Sequence, residues 1–434
     1  MSFKKQVLAG AAWMVGMRFA VNVLGMVSTF ILARVLTPED FGIVALAGSV
    51  FVFLSTLGQM GFDSALIQHK NPSDSHFNSA WTANILVGLA VGVLLSILAR
   101  PASGFFENDA IEFVIYAFAF LSVLKGFENI GVVNFRRELR FGGDFAYFVV
   151  PKVASVVGAI SAAIVLRSYW ALVIGMASAQ VARLVFSHLA QPFRPKLSIS
   201  KIGELFGFSK WMLANSLLEY LVSNGVEVVL GRVKGAASVG VLNIGKQIAL
   251  MPTTELIAPI NRAMFPAFSK IADNPTQMRR VLKRVLGAAV AITVPAAFGI
   301  WSMADEIVLT MLGPKWSDVI PVLSMMGFVA AVNSVIGMFG PVLLARGRPK
   351  VLTINKAIFA AVLFPSVMLL APKYGAAGVA AAFIPGVIAQ YPSYLYFIKK
   401  EIGFSVKDLI GCYARPLIAA TVMVVLLHEF VEWL

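Results

Sequence analysis

Charge is scarce in this sequence. Of its 434 residues only 13% are Asp, Glu, Lys or Arg, while 59% are hydrophobic. A soluble domain carries about 25% charged residues, so this chain cannot cover a water-facing surface of its own. The single cysteine, Cys412, excludes an internal disulfide framework and a Cys-rich metal site. The four histidines are scattered. There is no His/Cys/Asp metal pattern, no phosphate-binding glycine loop and no nucleophile motif. The loops are too short for the polar catalytic segments that an enzyme acting on lipid needs. The expectation is therefore a protein that is not an enzyme and that has no cofactor.

What the chain has in abundance is long apolar runs, with a mean hydropathy of +0.82. Runs of about 20 residues recur along its length, each enough to cross a bilayer. Backbone groups must be satisfied within lipid, so such runs are helices. The period-two alternation of a membrane barrel is absent. The pattern predicts an all-α integral membrane protein of about thirteen spans, from Val7–Ala33 to Leu409–Leu427. The start, Met1 to Lys5, is short and basic, and the apolar run after it exceeds a signal-peptide core, so it reads as a retained first helix.

Lys and Arg outnumber Asp and Glu by 36 to 22, a net charge of +14. In a soluble protein that excess would suggest nucleic acid. Here the cations sit in short loops beside apolar spans, so they set topology instead. One side of the predicted membrane collects 20 basic residues, including Arg136, Arg137, Arg140, Arg279, Arg280, Lys283 and Arg284; the other collects seven. Positive loops stay cytoplasmic, which puts the N-terminus inside and, with an odd span count, the C-terminus outside. The cluster Arg279–Arg284 reads as this anchor, with anionic lipid as a further contact.

The sequence also repeats. Trp13 and Trp211, Arg34-Val35 and Arg232-Val233, and Gly42 and Gly240 are each 198 positions apart, without a gap. The register suggests duplication of a six-helix unit with parallel topology, a plan in which transporters hold substrate between halves. The expected domains are a six-helix bundle over residues 1–200, a second over 201–400 and an extra helix over 401–434.

Several segments resemble the multidrug/oligosaccharidyl-lipid/polysaccharide exporter superfamily, nearest its polysaccharide transporter branch of Wzx-type flippases. They are Ala33-Arg-Val-Leu-Thr-Pro-Glu-Asp-Phe-Gly42, Gly61-Phe-Asp-Ser-Ala-Leu-Ile-Gln68, Arg136-Arg-Glu-Leu-Arg-Phe141, Pro259-Ile-Asn-Arg-Ala-Met-Phe-Pro266, Leu312-Gly-Pro-Lys-Trp316 and Tyr374-Gly-Ala-Ala-Gly-Val379. Together they cover nearly the whole chain in order. The family often carries one helix more than is read here. The resemblance implies two six-helix bundles in a V shape, in a bacterial inner membrane. It implies transfer of a polyprenyl-pyrophosphate-linked oligosaccharide between leaflets for surface polysaccharide export. Its partners would be that lipid-linked oligosaccharide, membrane lipids, and polysaccharide polymerase and export proteins.

Ionisable residues inside the spans are the candidate site, because charge there is costly and usually faces a cavity or a partner. Arg18 lies mid-span with Asn22 one turn on along the same face, and in the family the first helix lines the cavity. A guanidinium suits phosphate because its planar fork offers paired donors. The structural alternative pairs Arg18 with a carboxylate such as Glu219. Lys246, Arg183 and Arg262 are the weaker substrate-binding candidates. Glu219, Glu255 and Glu128 are candidates for coupling a proton or sodium ion. Glu219, Ser223 and Glu227 share a face at i, i+4 spacing, and Glu255 lies between Pro252 and Pro259, which bend a helix. Lys125 and Glu128, at i, i+3, read as a self-neutralising pair. Lys152, Lys210, Lys356 and Arg415 read as snorkelling to the cytoplasmic interface. Two rivals share these features: a cation-coupled drug antiporter, which should favour acidic cavity residues, and a membrane scaffold for a polysaccharide synthase, in which Arg18 would be dispensable.

Overall fold

A computed structural model describes residues 3–58, 62, 66–67, 72–138, 140–205, 209–253 and 258–433. The long helices are α1 Phe3–Val35, α2 Pro38–Leu57, α3 Asp74–Phe106, α4 Ala110–Gly126, α5 Phe141–Leu166, α6 Trp170–Leu189, α7 Ser209–Pro252, α8 Ala258–Lys270, α9 Pro275–Ser302, α10 Val319–Ala345, α11 Pro349–Ile402 and α12 Val406–Trp433. Ten helices are long and apolar enough to cross a membrane, or eleven if a bent pair counts as one, among the described residues. Sequence reading expects about thirteen. At about 1.5 Å per residue the 54-residue α11 is about 80 Å long, far beyond the roughly 30 Å of a hydrocarbon core. Its backbone breaks inside, at Gly375 (φ 58°, ψ −133°), and α7 breaks likewise at Gly235 (φ 76°, ψ −179°). The bent pair joins α4 to the stretch 130–137 through a 66° turn. Sequence reading runs one straight span, Ile111–Val133, through that turn.

The chain divides into two compact units, Met1–Gly240 and Val241–Leu434. The repeat in the sequence places its own boundary after residue 200.

In the first unit, helices approach closely where side chains are small, as packing in lipid requires. Gly88 and Gly92 of α3 lie one turn apart; a Cβ added at Gly88 would stand 2.7 Å from the Ser122 carbonyl of α4, and one at Gly92 3.1 Å from that of Ala119. Where α5 meets α6, a Cβ at Gly175 would stand 2.6 Å from that of Ala159.

The segment Leu36–Gly42 explains one motif of the resemblance. Thr37 caps α2: its hydroxyl accepts from Asp40 N at 3.3 Å, and the Asp40 carboxylate accepts from Thr37 N at 2.8 Å. Pro38 takes the first helical position, where no N–H is needed. The repeat register pairs Thr37 with Gly235, and the second turn uses that glycine's positive φ in place of a capping box. The two turns meet. A Cβ at Gly42 would fall 1.7 Å from the Ala236 carbonyl oxygen, and a Cβ at Gly240 1.9 Å from that of Pro38. Residues 38 and 236 are themselves 198 apart, so the register exchanges one contact for the other.

In the second unit, Trp316, Phe339 and Phe404 are fully buried, and Phe339 lies 6.0 Å from Phe404 and 5.9 Å from Tyr394, ring to ring. The Leu312–Trp316 motif is a turn: Gly313 has φ 99°, and the three residues after it form a 3-10 turn that seats Trp316 in the core.

Candidate functional site

The site is built on one stripe of α1. Arg18, Asn22, Gly25 and Thr29 follow i, i+4, i+7 and i+11, so they line one face. Thr29 donates its hydroxyl to the Gly25 carbonyl at 2.9 Å, which keeps that polar group off the apolar surface. Arg18 is half-buried. Among the described residues it has neither a salt bridge nor a hydrogen-bond partner, so it does not pair with Glu219. Asn22, by contrast, is engaged by a neighbour.

Helix α5 packs along α1, and it carries the residue that the sequence reading discounts. Lys152 does not lie near the helix start. It is eleven residues beyond Phe141, about 16 Å along the axis. Its Nζ lies 3.2 Å from where a Cβ at Gly25 would stand, so the ammonium rests in the notch that the missing side chain leaves. The side chain is half-buried, and among the described residues no carboxylate or acceptor meets it. Two features misled the sequence reading. The helix begins four residues before the predicted span start at Phe145, and the stem turns inward on a glycine instead of running to the interface. The signal available in the sequence was Gly25 itself, two turns from Arg18 on its stripe.

A second cluster lies at the bend after α4. Glu128 does not neutralise Lys125, which is exposed. The helix ends at Gly126, so the i, i+3 geometry that would bring them together is lost. Glu128 accepts instead from Tyr147 Oη at 2.6 Å and from Gln180 Nε2 at 2.7 Å. Arg183, one turn beyond Gln180, stacks its guanidinium 5.8 Å from the Tyr147 ring centre and leaves a buried Nε–H without an acceptor. The bend is fixed by buried Asn129. Its N–H donates to Ser187 Oγ at 2.9 Å and its amide to the Phe193 carbonyl at 2.8 Å. The structure thus brings Glu128 and Arg183 to the same Tyr147, and it seats Lys152 against Gly25, on the α1 stripe that also carries Arg18 and Asn22.

The other candidates are dispersed. On α7, Glu219 and Ser223 are exposed while Glu227 is buried at 4% exposure, so their shared stripe has no uniform environment; all three have interaction partners. Lys246 is half-buried and engaged, as is Lys356. Glu255 and the side chains of Arg262, Lys210 and Trp211 lie outside the described residues.

Cations at the loop ends contrast with those of α1 and α5. Asp408 accepts from Arg279 at 2.7 Å, from Lys283 at 3.3 Å and from Ser405 N at 2.9 Å, which ties the start of α12 to α9. Glu401 accepts from Arg346 at 3.1 Å and from Arg348 at 2.7 Å. Two members of the basic cluster Arg279–Arg284, Arg279 and Lys283, therefore hold a carboxylate, a role the sequence reading does not give them.

Comparison with known proteins supplies the context. The chain is 26% identical over 422 residues to the lipopolysaccharide biosynthesis protein WzxC of Escherichia coli (strain K12), covering 94% of this chain and 84% of that one. It is 23% identical to the succinoglycan biosynthesis transport protein ExoT of Rhizobium meliloti (strain 1021), covering 80% and 71%. Its fold is similar to that of the lipid II flippase MurJ in an inward closed conformation, with a TM-score of 0.76 at 15% identity over 94% of this chain and 91% of that one. The model of the polysaccharide biosynthesis protein family matches residues 31–321, and the chain belongs to that family, within the polysaccharide transporter branch that its motifs resemble.

Proposed function

We propose that this protein is a flippase that carries a polyprenyl-pyrophosphate-linked oligosaccharide across a bacterial inner membrane. The observation that carries the reading is Arg18: a half-buried guanidinium on an apolar helix, without a carboxylate among the described residues, in a chain of this family. An uncompensated charge in that setting costs several kcal/mol, and an anionic headgroup is the partner that relieves it in the working cycle. WzxC, ExoT and MurJ, named for polysaccharide biosynthesis, transport and lipid flipping, support the substrate class. In this reading the N-terminus is cytoplasmic, and the bundles over 1–200 and 201–400 alternate access. Glu128, held by Tyr147 and Gln180 at a helix break, is the coupling group for a proton or sodium ion.

The test measures surface polysaccharide and membrane protein level together, in a strain whose own flippase is deleted. Arg18→Ala is expected to abolish export at normal protein level. Arg18→Lys is expected to rescue partly, because the ammonium keeps the charge and loses the fork. Normal export from well-inserted Arg18→Ala protein would remove Arg18 from the mechanism. Glu128→Gln is expected to leave substrate binding intact and to abolish the dependence of export on the ion gradient.

A further inference from the structure

The geometry points to Lys152 as a second anion contact of the same site, with Gly25 as its seat. The assignment rests on the reading of Arg18 given above and adds a residue to it. Three observations carry it. Lys152 lies deep in α5, about 16 Å from the helix start, beyond easy snorkelling. Its Nζ is lodged against the backbone of α1 at Gly25. Gly25 is seven residues, or two turns, past Arg18, which sets the two cations on one stripe about 10 Å apart along the axis.

No acid balances either charge among the described residues. Elsewhere in the molecule a buried carboxylate gathers cations in pairs, as Asp408 and Glu401 do. Lys152 and Arg18 have no such carboxylate among the described residues, and they lie on two helices packed against each other. A pyrophosphate offers the missing acceptors. Its two phosphoryl groups can each meet one cation, where a single phosphoryl group is too short to reach both, so the two cations select the diphosphate form of the lipid carrier. A Cβ at position 25 would displace the ammonium only slightly, whereas a long side chain there fills the notch and pushes the ammonium off the stripe.

The experiment uses the full-length protein. Binding of undecaprenyl diphosphate, undecaprenyl monophosphate and undecaprenol is measured on detergent-purified protein by native mass spectrometry. Export, membrane level and thermal melting are recorded in parallel. Lys152→Met keeps the length of the side chain and removes the charge. It is expected to weaken diphosphate binding by about tenfold, the scale of one charged hydrogen bond, to leave undecaprenol binding unchanged and to abolish export. Its melting temperature is expected to rise, since a charge without a partner is lost from an apolar helix. A merely structural lysine would lower it. Lys152→Arg is expected to retain part of the export, and Gly25→Leu to copy Lys152→Met.

Wild-type binding and export in Lys152→Met overturn the assignment, while loss in Arg18→Met beside it leaves the flippase reading standing. A fall in membrane level with unchanged export per molecule makes Lys152 structural and overturns it equally. If the unaltered protein neither binds the diphosphate nor restores export, the flippase reading itself falls, and the role of Lys152 with it.

Discussion

Four cations at loop ends and two within helices are treated in opposite ways. At the loop ends, Arg279, Lys283, Arg346 and Arg348 share two nearly buried carboxylates, Asp408 at 8% and Glu401 at 6% side-chain exposure. Along α1 and α5, Arg18 and Lys152 lie on apolar helices with no carboxylate among the described residues. Water is near at the ends, so a cation there could do without a partner, yet it has one. Further in, where a partner is needed most, Arg18 and Lys152 have none among the described residues. The end pairs hold helices together, Asp408 fastening α12 to α9. In the reading proposed above, Arg18 and Lys152 serve an anionic ligand instead.

This contrast can be broken directly. The largest effect is expected from Asn22→Asp, which places a carboxylate one turn from Arg18 and makes the middle resemble the ends. Export should be lost while protein level holds or rises, measured as surface polysaccharide per membrane-inserted molecule; retained export would mean that Arg18 need not be open to an anion. Next comes Asp408→Asn, which leaves Arg279 and Lys283 without their anion. A loss of about 2 kcal/mol, the range of hydrogen bonds to charged groups, should appear as a lower melting temperature in detergent. An unchanged melt would remove the clamp from the account of stability. Glu401→Gln is expected to cost less, about 1 kcal/mol, because Glu401 accepts two hydrogen bonds where Asp408 accepts five; the same melt reads it. Smallest is Lys125→Ala, at an exposed position with no ion pair among the described residues. Stability should change by less than about 0.5 kcal/mol, whereas a pair with Glu128 would have given more.

Much of the fold was legible because lipid leaves the backbone few choices. Apolar runs gave helices, and the glycine in Tyr374-Gly375 separated two predicted spans inside what is otherwise one 54-residue helix. The capping box at Thr37 could be read from residue type and order alone. The bend after α4 could not, because Ile130, Val132 and Val133 continue the apolar run through it, and its cause is a hydrogen bond from Asn129 to Ser187, 58 residues away. The same limit governs the site. Arg18 stood out because position along a helix sets depth. Lys152 did not, because its depth depends on where α5 begins and its direction on a glycine in another helix. Asp408 and Glu401 carry no sign of their role in the sequence, because their cationic partners lie as far as 129 and 55 residues away.

The paired contacts at Gly42 and Gly240 have a consequence for how the chain is assembled. Position 42 rests on 236 and position 240 on 38, each contact being the other shifted by the repeat. That reciprocity is the signature of an isologous interface, the kind a two-fold homodimer makes from a single patch used twice. Here both copies of the patch are written into one polypeptide. An association that separate subunits would make only at sufficient concentration becomes intramolecular, its strength set by the intervening chain and not by expression level. It also frees the two copies to diverge. One keeps a threonine cap and a proline where the other keeps a glycine with positive φ, and a symmetric dimer of identical subunits could not hold both.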